Sequence, residues 1–413
     1  MSRRRIVAVG IASLLLMTGG LAVASAPHAS SIRFDRSVRL TPPTFGGFEP
    51  SIVVDRFGNI YITAHKERQI NAVAPDAQTS TGVRTASFLW TSSDGTHFHD
   101  VTPKQSYAMN FGDEGEIALD GADHLYMVDT NVVDVTFARW HITGLGHQTM
   151  QLARPAVGTG QLVDDRPWIA ANSHGDVLYT GNGGVASACP LGTDGTGDGA
   201  GTGRYTVYMS HDFGQTFDTR GVTLKDSGWC YPAADPRQGS RIFYVACIDL
   251  SQPDQHFEHA LYLYASPDAG HTWTRRILGH YESATWPSVH VGRDGSVHVL
   301  IGDDRTENSR AVGTLRLFNL ASMTAPVHEV RLPSVGADIP FAWVAVAPNG
   351  DVAGVYYAQS SSTSPWYVYA DVLHPDGSIT TGRIDDVPLA PADGFPKGDF
   401  FEGTFGPDRK SVV

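Results

Sequence analysis

Alternating apolar and polar positions, interrupted by short turns rich in Asp, Asn and Gly, recur along the chain. In Glu49–Thr63 an alternating run enters a turn at Asp55–Asn59 and returns as the apolar run Ile60, Tyr61 and Ile62. The design repeats at Glu116–Val128, Arg166–Tyr179, Tyr231–Val245, Trp286–Val299, Phe341–Val355 and Glu402–Val412. A period of two marks a strand with one buried face, and a tight turn between two such runs reads as a hairpin. The copies start roughly 50 to 65 residues apart, the length of one four-stranded blade with its loops. Each copy is therefore expected to be the inner strand pair of a propeller blade. The reading is an all-β, single β-propeller of four-stranded antiparallel blades. Seven copies predict seven blades; six with an irregular end is the alternative. The last copy stops soon after its second strand begins, and Ser31–Leu40 is the candidate strand to close that blade.

A second motif lies about 30 to 45 residues after the hairpin starts, where the outer strands of a blade belong. Ser210, Asp212, Gly214, Thr216 and Phe217 have the same spacing as Ser266, Asp268, Gly270, Thr272 and Trp273, and a degenerate copy surrounds Asp94. Asp and Ser side chains tie down their own turn, Gly takes a positive φ, and the aromatic plugs the hairpin base. The motif resembles the Asp-box, or BNR, repeat of sialidase-like propellers. That resemblance covers nearly the whole chain after the first 24 residues and assigns these side chains a structural role at the rim.

The resemblance also implies an activity, that of an exo-α-sialidase-like glycoside hydrolase. Retaining sialidases use a tyrosine activated by a glutamate, an acid, and an arginine triad on the substrate carboxylate. Carried onto this chain, these roles fall to Tyr281 as nucleophile, Glu282 as its base, and Asp164 or Asp165 as acid. Arg68, Arg166 and Arg305, with Trp286 beside them, would bind substrate. The Phe/Tyr-Arg-Ile-Pro motif of catalytic sialidases is missing: Arg33–Arg36 occupies its place, and the nearest look-alike is Asp165–Trp168. Catalytic sialidases also have six blades.

Independently of the resemblance, carboxylates collect where inner strands begin: Glu49, Asp113, Glu114, Glu116, Asp164, Asp165, Glu282, Asp338, Asp399 and Glu402. Strand exits on the same face add Asp129, Asp249, Asp303 and Asp304. Converging carboxylates raise one another's pKa and serve acid–base chemistry or hold a hard cation, so Ca2+ is an optional ligand and no cofactor is required. The bland account is that they cap strand ends and keep the surface soluble. The glycine-rich run Gly192–Gly203 reads as a loop or a weak Ca2+ site.

Met1–Ala24 has the form of a secretory signal peptide: a basic start at Arg3–Arg5, an apolar core over Ile6–Met17, and small residues at Ala22–Ala24. Residues 25–413 are the propeller. Formal charge is −13, and −16 without Arg3, Arg4 and Arg5. That balance argues against nucleic acid and anionic membrane as partners, because phosphate binding needs a basic footprint. The expected protein is secreted, extracellular and monomeric, with a glycan or polysaccharide as partner. Of three cysteines, Cys230 and Cys247 flank one turn symmetrically and are the expected disulfide; Cys189 is left over. Two functions stay open: a sialidase-like hydrolase acting on acidic glycans at the channel mouth, or a non-catalytic propeller binding glycan or protein there.

Overall fold

The computed structural model describes residues 34, 37–40, 47–66, 87–102, 114–130, 135–155, 167–181, 205–249, 259–281, 285–307, 310–336, 339, 341–385, 387–394, 402–407 and 411–412. The signal-peptide reading, Cys189 and the Gly192–Gly203 run fall outside them.

Every regular element among these residues is a strand, and consecutive strands pair antiparallel in groups of four. The first blade is β1 (Gly47–Val54), β2 (Ile60–Lys66), β3 (Phe88–Ser92) and β4 (His99–Asp100). The second is β5 (Glu114–Leu119), β6 (His124–Thr130), β7 (Val135–Gly144) and β8 (His147–Pro155). The third is β9 (Trp168–Ala171), β10 (Val177–Gly181), β11 (Thr206–Ser210) and β12 (Val222–Thr223). The fourth is β13 (Trp229–Ala234), β14 (Phe243–Ile248), β15 (His259–Ser266) and β16 (Thr274–Tyr281). The fifth is β17 (Ser288–Val291), β18 (Val297–Glu307), β19 (Arg310–Leu320) and β20 (His328–Leu332). The sixth is β21 (Ala342–Val346), β22 (Val352–Gln359), β23 (Trp366–Leu373) and β24 (Ile379–Arg383). Middle strands such as β14 are buried along their whole length, whereas the outermost β16 is largely exposed, which matches its charged sequence.

The innermost strands meet around an axis: β1 packs on β5, β5 on β9, β9 on β13, β13 on β17 and β17 on β21. A two-stranded ribbon, β25 (Thr404–Phe405) and β26 (Ser411–Val412), closes the ring, with β25 touching both β21 and β1. The complete blades therefore number six. Among the described residues the seventh position holds this ribbon, so the last blade is incomplete and the count of full blades is the six that the alternative allowed. Phe34 and Phe405 both pack on Ala353, Val355, Ala370 and Val372, covering part of the apolar face that a full seventh blade would bury. Residues 37–40 carry no strand, so among the described residues the N-terminal segment contributes a side chain rather than a ladder.

Five of the six inner hairpins share one turn, and the fourth blade has a longer one closed by the Asp235 N–H on the Ile242 carbonyl. In the shared turn the backbone N–H of the first residue donates to the carbonyl of the last, as in Asp55 to Asn59, Asp120 to His124, Asn172 to Asp176, Gly292 to Ser296 and Ala347 to Asp351. The fourth position needs positive φ. Gly58 supplies it at 92°, and Asp123 takes the same place at 65°, a region that Asp tolerates better than most residues. Cys230 and Cys247 sit directly opposite each other on β13 and β14, joined by a buried disulfide.

Ser210, Asp212 and Thr216 form the turn between β11 and β12. Ser210 Oγ donates to Asp212 Oδ1 at 2.8 Å, and Asp212 accepts from the Thr216 N–H at 2.8 Å and its hydroxyl at 2.6 Å. Ser266, Asp268 and Thr272 repeat this between β15 and β16. Around Asp94, one residue shorter before its glycine, the carboxylate accepts from the N–H groups of Thr96 and His97. Phe217 sets its ring edge-on to Phe137, while Trp273 Nε1 donates to the Gly270 carbonyl. All three turns lie on outer hairpins, away from the axis.

Candidate functional site

Aligning the blades on their inner turn places one residue of each innermost strand, four positions before the turn's first residue, at the same height on the axis. These residues are Ser51, Glu116, Trp168, Tyr231, Ser288 and Trp343. The pairing of Phe405 with Ser411 matches that of Val54 with Ile60 and adds Glu402 to the layer. One position further on, Ile52, Ile117, Ile169, Val289 and Val344 are buried between blades. Alternation along the strand thus turns one set of side chains into the core and the other toward the channel.

Side chains of this layer meet across the axis. The Tyr231 hydroxyl lies 3.1 Å from Glu116 Oε1 and 3.3 Å from Glu402 Oε1. Glu402 Oε2 accepts from Ser51 Oγ at 2.8 Å and from the Ile52 N–H at 3.0 Å. Glu116 is 3% exposed and Glu402 6%. Trp343 and Trp168 set their rings edge-on to Tyr231, with centroids at 4.3 and 5.0 Å, and Tyr231 keeps part of its surface exposed.

Burial penalises charge here, so the titrations move. Glu116 is pushed well above the ordinary carboxylate range, first by burial and then by the charge of Glu402. Burial lifts Glu402 as well, to about 7, against the opposing pull of the Ile52 N–H and the Ser51, Glu116 and Tyr231 hydrogen bonds. Burial, then the two carboxylates, raise the Tyr231 phenol. One phenolic proton serves one carboxylate at a time. The consistent arrangement keeps a proton on Glu116 and directs Tyr231 toward Glu402, which already collects the other donors. A carboxylic acid, a phenol and a carboxylate thereby share one small volume.

Only some of the residues nominated from sequence belong to this volume. Glu116 and Glu402 come from the acidic strand starts. Tyr281 does not: it ends the outermost strand of the fourth blade, 1% exposed, near Phe318 with the Arg316 guanidinium over its ring. Trp286 is 3% exposed, stacks on Trp229, and donates from Nε1 to the Cys230 carbonyl, so it is a core residue beneath the layer's neighbours. Arg305 falls within β18, opposite Val312. Glu282, Asp164, Asp165, Arg68 and Arg166 lie outside the described residues. Sequence reasoning missed Tyr231 and Ser51 as site residues, although their shared distance from the turn would have found both. Among the described residues, no group of three or more His, Cys, Asp or Glu side chains is placed to hold a metal ion, and no helix is long and apolar enough to cross a membrane.

No family model and no curated protein matches the chain. Among solved structures it is similar to a protein of unknown function from Dyadobacter fermentans, at 12% identity, 92% of each chain and a TM-score of 0.45. It is also similar to an ulvan lyase from a new family of polysaccharide lyase, at 9% identity, 88% of this chain, 89% of the other and a TM-score of 0.47. A third is an exo-β-1,3-galactanase from Phanerochaete chrysosporium, at 9% identity, 64% and 61% coverage and a TM-score of 0.37.

Proposed function

We propose that this propeller is a secreted glycoside hydrolase of sialidase-like chemistry, with Tyr231, Glu116 and Glu402 as its reacting groups. The observation that carries the reading is the contact of one phenolic oxygen with two buried glutamates at the axis. Glycoside hydrolysis needs a proton donor for the leaving oxygen and a nucleophile or base, and a tyrosine takes the nucleophile's place in sialidases. Here the Tyr231 oxygen would attack the anomeric carbon as its proton passes to Glu402. The glycosidic carbon–oxygen bond breaks, and the leaving oxygen takes the proton held by Glu116. Water then cleaves the tyrosyl–sugar bond, giving up one proton to Glu116 as Glu402 returns its own to the phenol, which restores the starting state. Trp343 and Trp168 give the site an aromatic wall suited to a sugar face. The acidic-glycan part of the proposal rests on Arg68, Arg166 and Arg305, whose guanidinium forks suit a carboxylate.

The deep burial of Glu116 and Glu402 favours a second reading, a binding propeller in which the pair ties the ring shut. Release of fluorophore from a 4-methylumbelliferyl sialoside, alongside a panel of neutral aryl glycosides and with or without Ca2+, separates the two. Turnover lost in Tyr231→Phe supports the hydrolase, and its further loss on sialosides alone in Arg166→Ala supports the acidic sugar. A folded, monodisperse sample inert on every substrate overturns the hydrolase in favour of the binding propeller.

A further inference from the structure

We infer that Ser51 is the positioning residue that makes Glu402, rather than Glu116, the proton acceptor of this site; the inference rests on the acid–base reading above. The two glutamates occupy the same layer and share the Tyr231 hydroxyl, so nothing in their residue type distinguishes them. Their donors do. Glu402 Oε2 accepts from Ser51 Oγ at 2.8 Å and from the Ile52 N–H at 3.0 Å, which leaves Oε1 toward Tyr231. Hydrogen bonds to the charged form favour ionisation, and both of these are made to one member of the pair. Ser51 is 1% exposed, so water does not replace its hydroxyl without rearrangement.

Ser51 also acts on Glu116, where it too favours the charged form. Its 2.8 Å hydrogen bond, however, is made to Glu402, which has the Ile52 N–H in addition. Among the described residues, the elements packed beside Glu402 bring few other charged groups. β1 carries Glu49 near its start, with Asp55 and Arg56 just past its end. β21 carries no charged residue, and across the channel only Glu116 and Tyr231 titrate within the layer.

The test is a carboxyl 13C NMR titration of the full chain labelled at glutamate, with the Glu402 and Glu116 signals assigned by their loss in E402Q and E116Q. In Ser51→Ala the Glu402 midpoint is expected to rise by about one pH unit, the size of one lost hydrogen bond to a charged group. Ser51→Thr should restore it. Ser51→Cys, nearly isosteric with a weaker donor, gives an intermediate shift and serves if the alanine variant does not fold. A Glu402 midpoint unchanged in a folded Ser51 variant, or a shift confined to Glu116, overturns the inference. The titration is read in the resting protein and so decides the point even if no glycoside is turned over. Where turnover is measured, the acidic limb of kcat should move to higher pH with the NMR midpoint.

Discussion

The Ser51 hydroxyl and the Glu402 carboxylate, 351 positions apart in the chain, meet in a 2.8 Å hydrogen bond that joins the first blade to the closing ribbon. The same carboxylate reaches Tyr231 of the fourth blade. Glu402 is thus at once a ring closure and a member of the channel layer. A two-stranded ribbon has little ladder of its own, so its place between β1 and β21 depends on such contacts.

Removing that carboxylate should loosen the ring. Glu402→Ala leaves the Ser51 hydroxyl and the Ile52 N–H without their acceptor, at about 1–3 kcal/mol for a buried donor left unsatisfied. Glu402→Gln keeps an acceptor oxygen and should lose much less. Urea unfolding followed by intrinsic fluorescence compares the two, and equal midpoints for both variants and wild type would contradict the closure role.

The buried pair gives stability an unusual pH dependence. Glu402 has an ordinary value of 4.5 and is pushed up to about 7, so between those values the folded state holds more protons than the unfolded one. Stability contributed by the protonated form is fully present below about pH 4.5 and is lost as pH rises through about 7, at up to ~1.4 kcal/mol per pH unit for one proton. Glu116 acts in the same sense. Asp268 acts in the opposite sense: the Thr272 N–H and hydroxyl hold it below the ordinary range, so its contribution disappears on acidification below about 3.8. Melting temperature should therefore fall from pH 4.5 toward pH 7, and Glu402→Gln should flatten that fall. A wild-type profile that rises through this interval would refute the assignment.

Much of this was legible in the chain. Period-two runs and the repeated Asp/Asn/Gly turn locate all six inner hairpins, and the Ser–Asp–Gly–Thr spacing of Ser210–Thr216 and Ser266–Thr272 marks outer ones, because both depend on local backbone chemistry. The seventh blade was overcounted because Glu402–Val412 carries the same local signal as a full blade's inner pair, and a hairpin signal says nothing about outer strands. Tyr281 was nominated for its neighbour Glu282, yet strand alternation and an outermost position put its ring against Phe318. Tyr231 was passed over because its partners come from β5 and from the residue beside β25, a relation set by ring closure and invisible in local spacing.

Tyr231 and Tyr281 should separate function from packing. Tyr231→Phe keeps the ring against Trp343 but removes the hydroxyl, so kcat on a responsive glycoside should fall by roughly 10²–10⁴, at a stability cost of about 1 kcal/mol for the lost hydrogen bond. Tyr281→Phe should leave kcat within about twofold, since its ring lies in the outer layer beneath Arg316. The reverse ranking in steady-state kinetics would return the nucleophile to Tyr281.

The rim turns make a prediction of their own, independent of any activity. Asp212→Ala removes the acceptor for the Thr216 N–H and hydroxyl in a partly exposed turn and should cost about 1 kcal/mol. Gly214→Ala should cost more, about 3 kcal/mol. Its φ of 77° disfavours a side chain, and an added Cβ would stand 2.1 Å from Phe137 Cζ, in the core under the second and third blades. Phe137 is itself edge-on to Phe217, so it has no room to retreat without disturbing the plug of the same hairpin. Denaturant melts of both variants test the order. An alanine at 214 tolerated better than one at 212 would mean that the turn is held by its hydrogen bonds alone, and that the glycine is not fixed by the approach of the neighbouring blade.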